Sequence, residues 1–121
     1  MAIRKRRAGE LVIEQTRDLP RVREMLARAG MITDGIEWPA ACYIFAYVGD
    51  EAVGVIGVES KIDAALIRSL YVNESARRRG IGGALIAAAR KAAHTRGARH
   101  LYLFSTDAGG FFRRHGFTTV A

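Results

Sequence analysis

Between residues 66 and 83 the chain runs from a β-forming segment, Leu66-Ile67-Arg68-Ser69-Leu70-Tyr71-Val72, to Arg77-Arg78-Arg79-Gly80-Ile81-Gly82-Gly83, and then into a helical apolar stretch. A strand, a basic connection and a helix start almost free of side chains constrain the fold more than any other part of the sequence. N–H groups in a helix's first turn have no partner within the helix, and the aligned peptide dipoles add partial positive charge there. An anion satisfies both. Gly80, Gly82 and Gly83 let a phosphate approach those amides, and Arg77, Arg78 and Arg79 add cationic side chains around the same point. The stretch reads as a cradle for phosphate or pyrophosphate. The plainer alternative is a flexible helix start behind a solvated charge run. A dinucleotide fingerprint is excluded because Leu85 stands where a small residue is needed, and a P-loop because Gly-Lys-Ser/Thr is absent.

A chain of 121 residues suffices for one compact domain. Residues 1–9 form a basic N-terminal tail, and 10–121 a single domain. No apolar run approaches the ~20 residues of a membrane span, and the basic start leads into no apolar signal core, so the expected location is cytoplasmic, with no membrane partner. Cys42 is a single cysteine and no Cys/His cluster has metal spacing, which points to no metal. The net charge of +7 raises nucleic-acid binding as a reading. Its weight is concentrated in the tail, at Arg4, Lys5, Arg6 and Arg7, and in the cradle, where phosphate recognition already explains it.

Glu10 to Gln15 is short and β-branched, suiting a first strand. Asp18 or Thr16 can cap a helix in which Pro20 is tolerated and Leu19, Val22, Leu26 and Ala29 share a face, ending at Gly30. Residues 31–39 read as a loop or a short helix with Trp38 packing it down. Cys42 to Val48 and Ala52 to Glu59 form a hairpin about Gly49-Asp50-Glu51, and Ala65 to Val72 follows as a third antiparallel strand. A helix from Gly80 to Thr95 stops at Gly97. Ala98 to Ser105 is then a strand parallel to the one before the helix, because a right-handed crossover requires it. A short helix from Ala108 to His115 and a last strand beginning at Phe117 complete the order. The class is α+β, an antiparallel half joined to a parallel pair.

The order Arg77-x-x-Gly80-x-Gly82 after a strand, with Phe111-Phe112-Arg113-Arg114-His115-Gly116-Phe117 closing the last helix, resembles the GNAT family of N-acetyltransferases over essentially the whole chain. Within it, the runs 66–72, 101–106 and 108–112 are similar to the small arsenic-resistance subgroup. The resemblance implies a mixed sheet whose parallel strands splay in a V, with coenzyme A between them. Its pyrophosphate would lie on the amides from Arg78 to Gly83, its pantetheine arm along Leu70, Tyr71 and Val72, and Arg77, Ile81, Ser105 and Phe112 would border it. The implied reaction is direct acyl transfer from acetyl-coenzyme A to a small-molecule amine, without a metal. The family's usual last hairpin stops short at Ala121, so the final strand is expected to be missing, and a second copy is expected to cover the edge of Phe117 to Val120 as a homodimer.

Amine acylation needs a proton acceptor, a positioned carbonyl carbon and stabilisation of the oxyanion. Many relatives use a tyrosine of the last helix to protonate the leaving thiolate. Phe112 occupies that place and has no proton to give. The remaining catalytic candidates are Tyr71 and Ser105 for the thiolate and Glu59 for the amine, with Asp63, Glu37 and Asp107 as other carboxylates. His94, His100 and His115 read as helix-surface, strand-edge and helix-end residues. A coenzyme A-binding module without transfer activity stays open as a second reading, and a basic nucleic-acid-binding domain as a third.

Overall fold

The computed structural model describes residues 7–104 and 109–120. Its elements are β1 (Leu11–Thr16), α1 (Leu19–Arg28), β2 (Ala41–Val48), β3 (Glu51–Ser60), β4 (Ala64–Val72), a single 3₁₀ turn (Glu74–Ala76), α2 (Ile81–Thr95), β5 (His100–Tyr102) and α3 (Gly109–Arg114). One five-stranded sheet has the order β1-β2-β3-β4-β5. The first three pairings are antiparallel and β4·β5 is parallel, as the α2 crossover demands.

The two central strands are apolar along nearly their whole length because both sheet faces are covered. On one face α1 sets Val22 and Leu26 against Tyr43, Phe45, Tyr47 and Val55. On the other, α2 sets Ile81, Leu85, Ile86, Ala89 and Ala93 against Ile44, Ile56, Val58 and Ile67. Burying one such leucine or isoleucine completely contributes about 2 kcal/mol, so each helix is fixed by the stripe its sequence shows.

The β4·β5 pairing is short. It joins Ala64 to His100, Ala65 to Leu101 and Leu66 to Tyr102, and ends there. Two residues further on, Gly57 of β3 faces Ser69 while Val58 faces Ile67, leaving Arg68 as an extra, unpaired residue of β4. Such a bulge bends its strand and increases local twist. The parallel strands therefore separate just beyond Leu66.

Two sequence expectations need correction. The strand expected from Ala98 to Ser105 is reduced to His100–Tyr102, since β4 bends away past Leu66, and Ser105 itself lies outside the described residues. Of the two readings open for residues 31–39, a loop or a short helix, the loop is the one found, with turns at 34–37. Phe117 to Val120 is not a strand. Phe117 instead folds back on α3: its N–H donates to the Phe112 carbonyl at 3.1 Å, and its ring meets Phe112 and the Arg90 guanidinium. The homodimer expected through a strand edge at that place thus has no strand edge to use.

Candidate active site

The gap between the diverging strands opens onto the start of α2. Gly80, the N-cap residue, is left-handed at φ +77°, no side chain caps the helix, and no acidic residue occupies its first turn. Arg78, two residues earlier, also has positive φ, at +66°. A left-handed conformation costs a non-glycine residue about 1 kcal/mol. With left-handed Gly80 it turns the backbone sharply just ahead of α2, the kind of local conformation from which anion-binding nests are built. The Gly80 carbonyl is used by the Ala84 N–H at 3.0 Å, whereas the N–H groups of Ile81, Gly82 and Gly83 have no acceptor within the helix.

A cleft of about 460 Å³ stands over this helix end. One wall is Leu70, Tyr71 and Val72 of β4. The floor is Ala76, Arg77, Arg78 and Gly80 to Gly83. The other wall is Phe111, Arg114 and His115 of α3. On the side of β4 facing β5, no strand pairs with these three residues among the described ones, so an extended ligand can bond to that backbone. The chemistry on offer is a donor-rich, positively charged end joined to a groove of apolar side chains, which suits an acidic head carrying a long, amide-bearing tail.

Most of the predicted cofactor residues meet here: Leu70, Tyr71, Val72, Arg77, Arg78, Gly80, Ile81, Gly82 and Gly83 all line the cleft. Arg79 is exposed and does not line it. Phe112 does not either; its ring meets Phe111 and Phe117 edge-on, and all three pack against the core. Arg77 lines the cleft but is partly spent, because its Nε donates to the Val72 carbonyl at 2.9 Å and its guanidinium lies 5.7 Å from the centre of the Tyr71 ring.

Sequence reasoning missed Phe111, Arg114 and His115 as cleft residues. The signal was present in the glycines. A Cβ on Gly82 would stand 3.0 Å from the Phe111 ring, and one on Gly83 would stand 2.6 Å from His115. Both glycines therefore let α3 lie against the start of α2, in addition to leaving its amides bare.

The predicted catalytic residues are more scattered. Tyr71 is half-buried, lines the cleft, and packs with the cluster under α1. Glu59 does not line the cleft. Its side chain is buried, with Oε2 2.9 Å from Lys61 Nζ. Its register is informative: Glu59 faces Leu66, which faces Tyr102, so it sits level with the point where the strands part. Asp63 pairs with Arg99 at 3.4 Å and Glu37 with Arg23 at 3.1 Å, both exposed. Ser105 and Asp107 lie outside the described residues. Cys42 is buried, which pushes its thiol above its ordinary value and keeps it unreactive. Among the described residues no His, Cys, Asp and Glu cluster could hold a metal ion, and no helix is long and apolar enough to cross a membrane.

Residues 39–119 match the family model described as an acetyltransferase (GNAT) domain. A search of curated proteins returned no match. Among solved structures, the fold is shared with a transcriptional regulator from Bacillus halodurans, at TM-score 0.77 and 22% identity over 93% of this chain and 95% of that one. It is shared with an aminoglycoside acetyltransferase from an uncultured soil metagenomic sample in complex with sisomicin, at TM-score 0.75 and 21% identity over 92% and 90%. An aminoglycoside N-acetyltransferase in complex with CoA matches at TM-score 0.75 and 17% identity over 95% and 92%. At such identities the likeness establishes the fold alone.

Proposed function

This chain belongs to the GNAT acetyltransferase family, and from that premise we propose that it is an acetyl-coenzyme A-dependent N-acetyltransferase of a small-molecule amine. The observation that carries the reading is the uncapped, glycine-lined start of α2 opening directly onto a stretch of β4 that pairs with β3 on one edge and, among the described residues, with no strand on the edge facing β5. The residues present fit coenzyme A. The amides of Ile81, Gly82 and Gly83, with Arg78, would hold the pyrophosphate, and Arg114 and His115 add donors from the opposite wall. Leu70, Tyr71 and Val72 offer backbone and apolar surface to the pantetheine arm. Coenzyme A supplies, when bound, an activated acetyl thioester.

The chain's own contribution is positioning, exclusion of water and proton handling. The β4 backbone beyond the bulge would fix the tail in an extended form, and its free amides there would face the carbonyl oxygen on which charge develops. Glu59 is the carboxylate at the level of the fork and would take the amine's proton through water, with Lys61 Nζ 2.9 Å from its Oε2. Tyr71 and Ser105 are the hydroxyls proposed to assist the leaving thiolate. Neighbours of this fold include two aminoglycoside acetyltransferases, which supports an amine acceptor here.

One observation favours a second reading. Phe111 and Phe112, the ring-bearing residues of α3, carry no hydroxyl, so that helix brings no acidic proton to the leaving group. The chain would then bind coenzyme A without transferring from it. Calorimetry with acetyl-coenzyme A, followed by release of free thiol across a panel of amines, separates the readings. The transferase reading expects binding and amine-dependent thiol release; binding without release leaves the second, and absence of binding removes both.

A further inference from the structure

The bulge in β4 places one residue at the meeting point of the two halves of the proposed reaction. From Val72 beside the cradle to Arg68 is four residues, or about 13 Å of strand. A tail laid along β4 from the cradle thus has its far end near Arg68 and Ser69. Arg68 does not face α2. Its guanidinium reaches the α1 side of the sheet, where Nη1 donates to the Gly35 carbonyl at 2.8 Å and to Tyr43 Oη at 3.3 Å, and Nη2 donates to the Asp34 carbonyl at 2.5 Å. Tyr43 is almost fully buried, and that burial pushes its phenol up from the ordinary value of 10.0, so it stays neutral and able to accept the bond.

These bonds pin the turn that follows α1. The same turn is closed by Trp38 N–H to the Gly35 carbonyl at 3.1 Å. The Trp38 ring rests on Gly35, where a Cβ would stand 2.8 Å away, and the Arg68 guanidinium lies 5.0 Å from the ring centre. Trp38 is nonetheless 53% exposed. An indole held from beneath by a hydrogen-bonded cation, with its outer side left to water, is unusual for a residue that packs a loop down. The guanidinium behind the ring also makes this wall a poor host for a polycation and a suitable one for a flat, apolar group.

We propose that Arg68 is a positioning residue for the acceptor: by fixing the 34–38 turn it holds Trp38 as one wall of the amine site, and the amine carries a flat apolar group that lies on that indole. The same strand then aligns donor and acceptor, one through its free edge and the other through its bulged side chain. This rests on the transferase reading above.

Phenethylamine and sisomicin serve as probes, with Arg68→Lys, Trp38→Ala and the wild type compared in thiol release and acetyl-coenzyme A calorimetry. Wild type should turn over phenethylamine in preference to sisomicin. Both variants should raise its KM by about tenfold while leaving coenzyme affinity within about twofold. Trp38 is the single tryptophan, so its emission should change on adding phenethylamine to the wild type and become more accessible to acrylamide in Arg68→Lys. Unchanged amine KM in both variants, preference for sisomicin, or loss of coenzyme binding in Trp38→Ala each overturns the proposal. Should Arg68→Lys fail to fold, Trp38→Ala, at an exposed side chain, decides alone. A wild type that binds acetyl-coenzyme A yet acetylates nothing refutes the transferase reading first and this proposal with it, whereas a wild type that turns over but ignores both substitutions removes only this one.

Discussion

The two long helices of this chain begin in opposite ways. At α1, the Asp18 side chain accepts from the Arg21 N–H at 3.2 Å and Pro20 occupies a first-turn position, where its missing N–H costs nothing. At α2, a left-handed glycine leads in, no side chain caps the amides, and the preceding residues are arginines. Both helices bury an apolar stripe on the same sheet, so packing does not account for the difference. A cap worth about 1 kcal/mol is used at one end and left out at the other. The omission makes sense if a ligand satisfies the α2 amides, because a carboxylate cap would compete with it for the same donors.

The largest expected effect comes from putting an acid where α2 lacks one. Gly82→Asp should weaken acetyl-coenzyme A binding by about a hundredfold or more in calorimetry, through its charge and through crowding of the Phe111 ring. Gly82→Ala isolates the crowding, and if it binds as poorly as the aspartate variant, the electrostatic half of the argument falls. Next in size is Arg78→Ala, for which affinity should drop about tenfold, and the drop should shrink as salt is raised. Arg78→Gly should bind equally weakly yet unfold at higher denaturant, since it relieves the left-handed strain of about 1 kcal/mol. Equal stability of the two variants would show that Arg78 is not strained. The smallest effect belongs to α1: Asp18→Ala should cost about 1 kcal/mol of stability by denaturant titration and leave coenzyme affinity unchanged. A loss of binding there would mean that the two helix starts are not independent, and the contrast drawn between them would fail.

Much of the site was legible because its floor is local. Gly80 to Gly83 and Arg78 are close in sequence, and a helix end exposes the same amides whatever the rest of the chain does. Element order was legible for the same reason, since the stripes of α1 and α2 and the continuous apolar runs of β2 and β3 repeat within a few residues. Arg77 was expected to join the cradle, but the hydrogen bond to Val72 draws part of its guanidinium back onto β4. Phe112 was expected at the coenzyme, whereas both rings pack against the core and only Phe111 also lines the cleft. A six-residue helix does not reveal from its sequence which of two adjacent phenylalanines faces a neighbour that is thirty residues away.

By itself, then, the sequence determined the strand-helix alternation, the α+β class, the closed start of α1 and the open start of α2, all of them consequences of interactions spanning a few residues. Only the tertiary structure decided where the parallel strands part, that Arg68 is the bulged residue reaching across the sheet to Asp34 and Gly35, and that Phe111 and His115 lie over Gly82 and Gly83. Those features depend on strand register and on contacts between segments some thirty residues apart. Local periodicity carries no information about either, because a one-residue change of register leaves each segment's own pattern intact while moving every cross-strand partner.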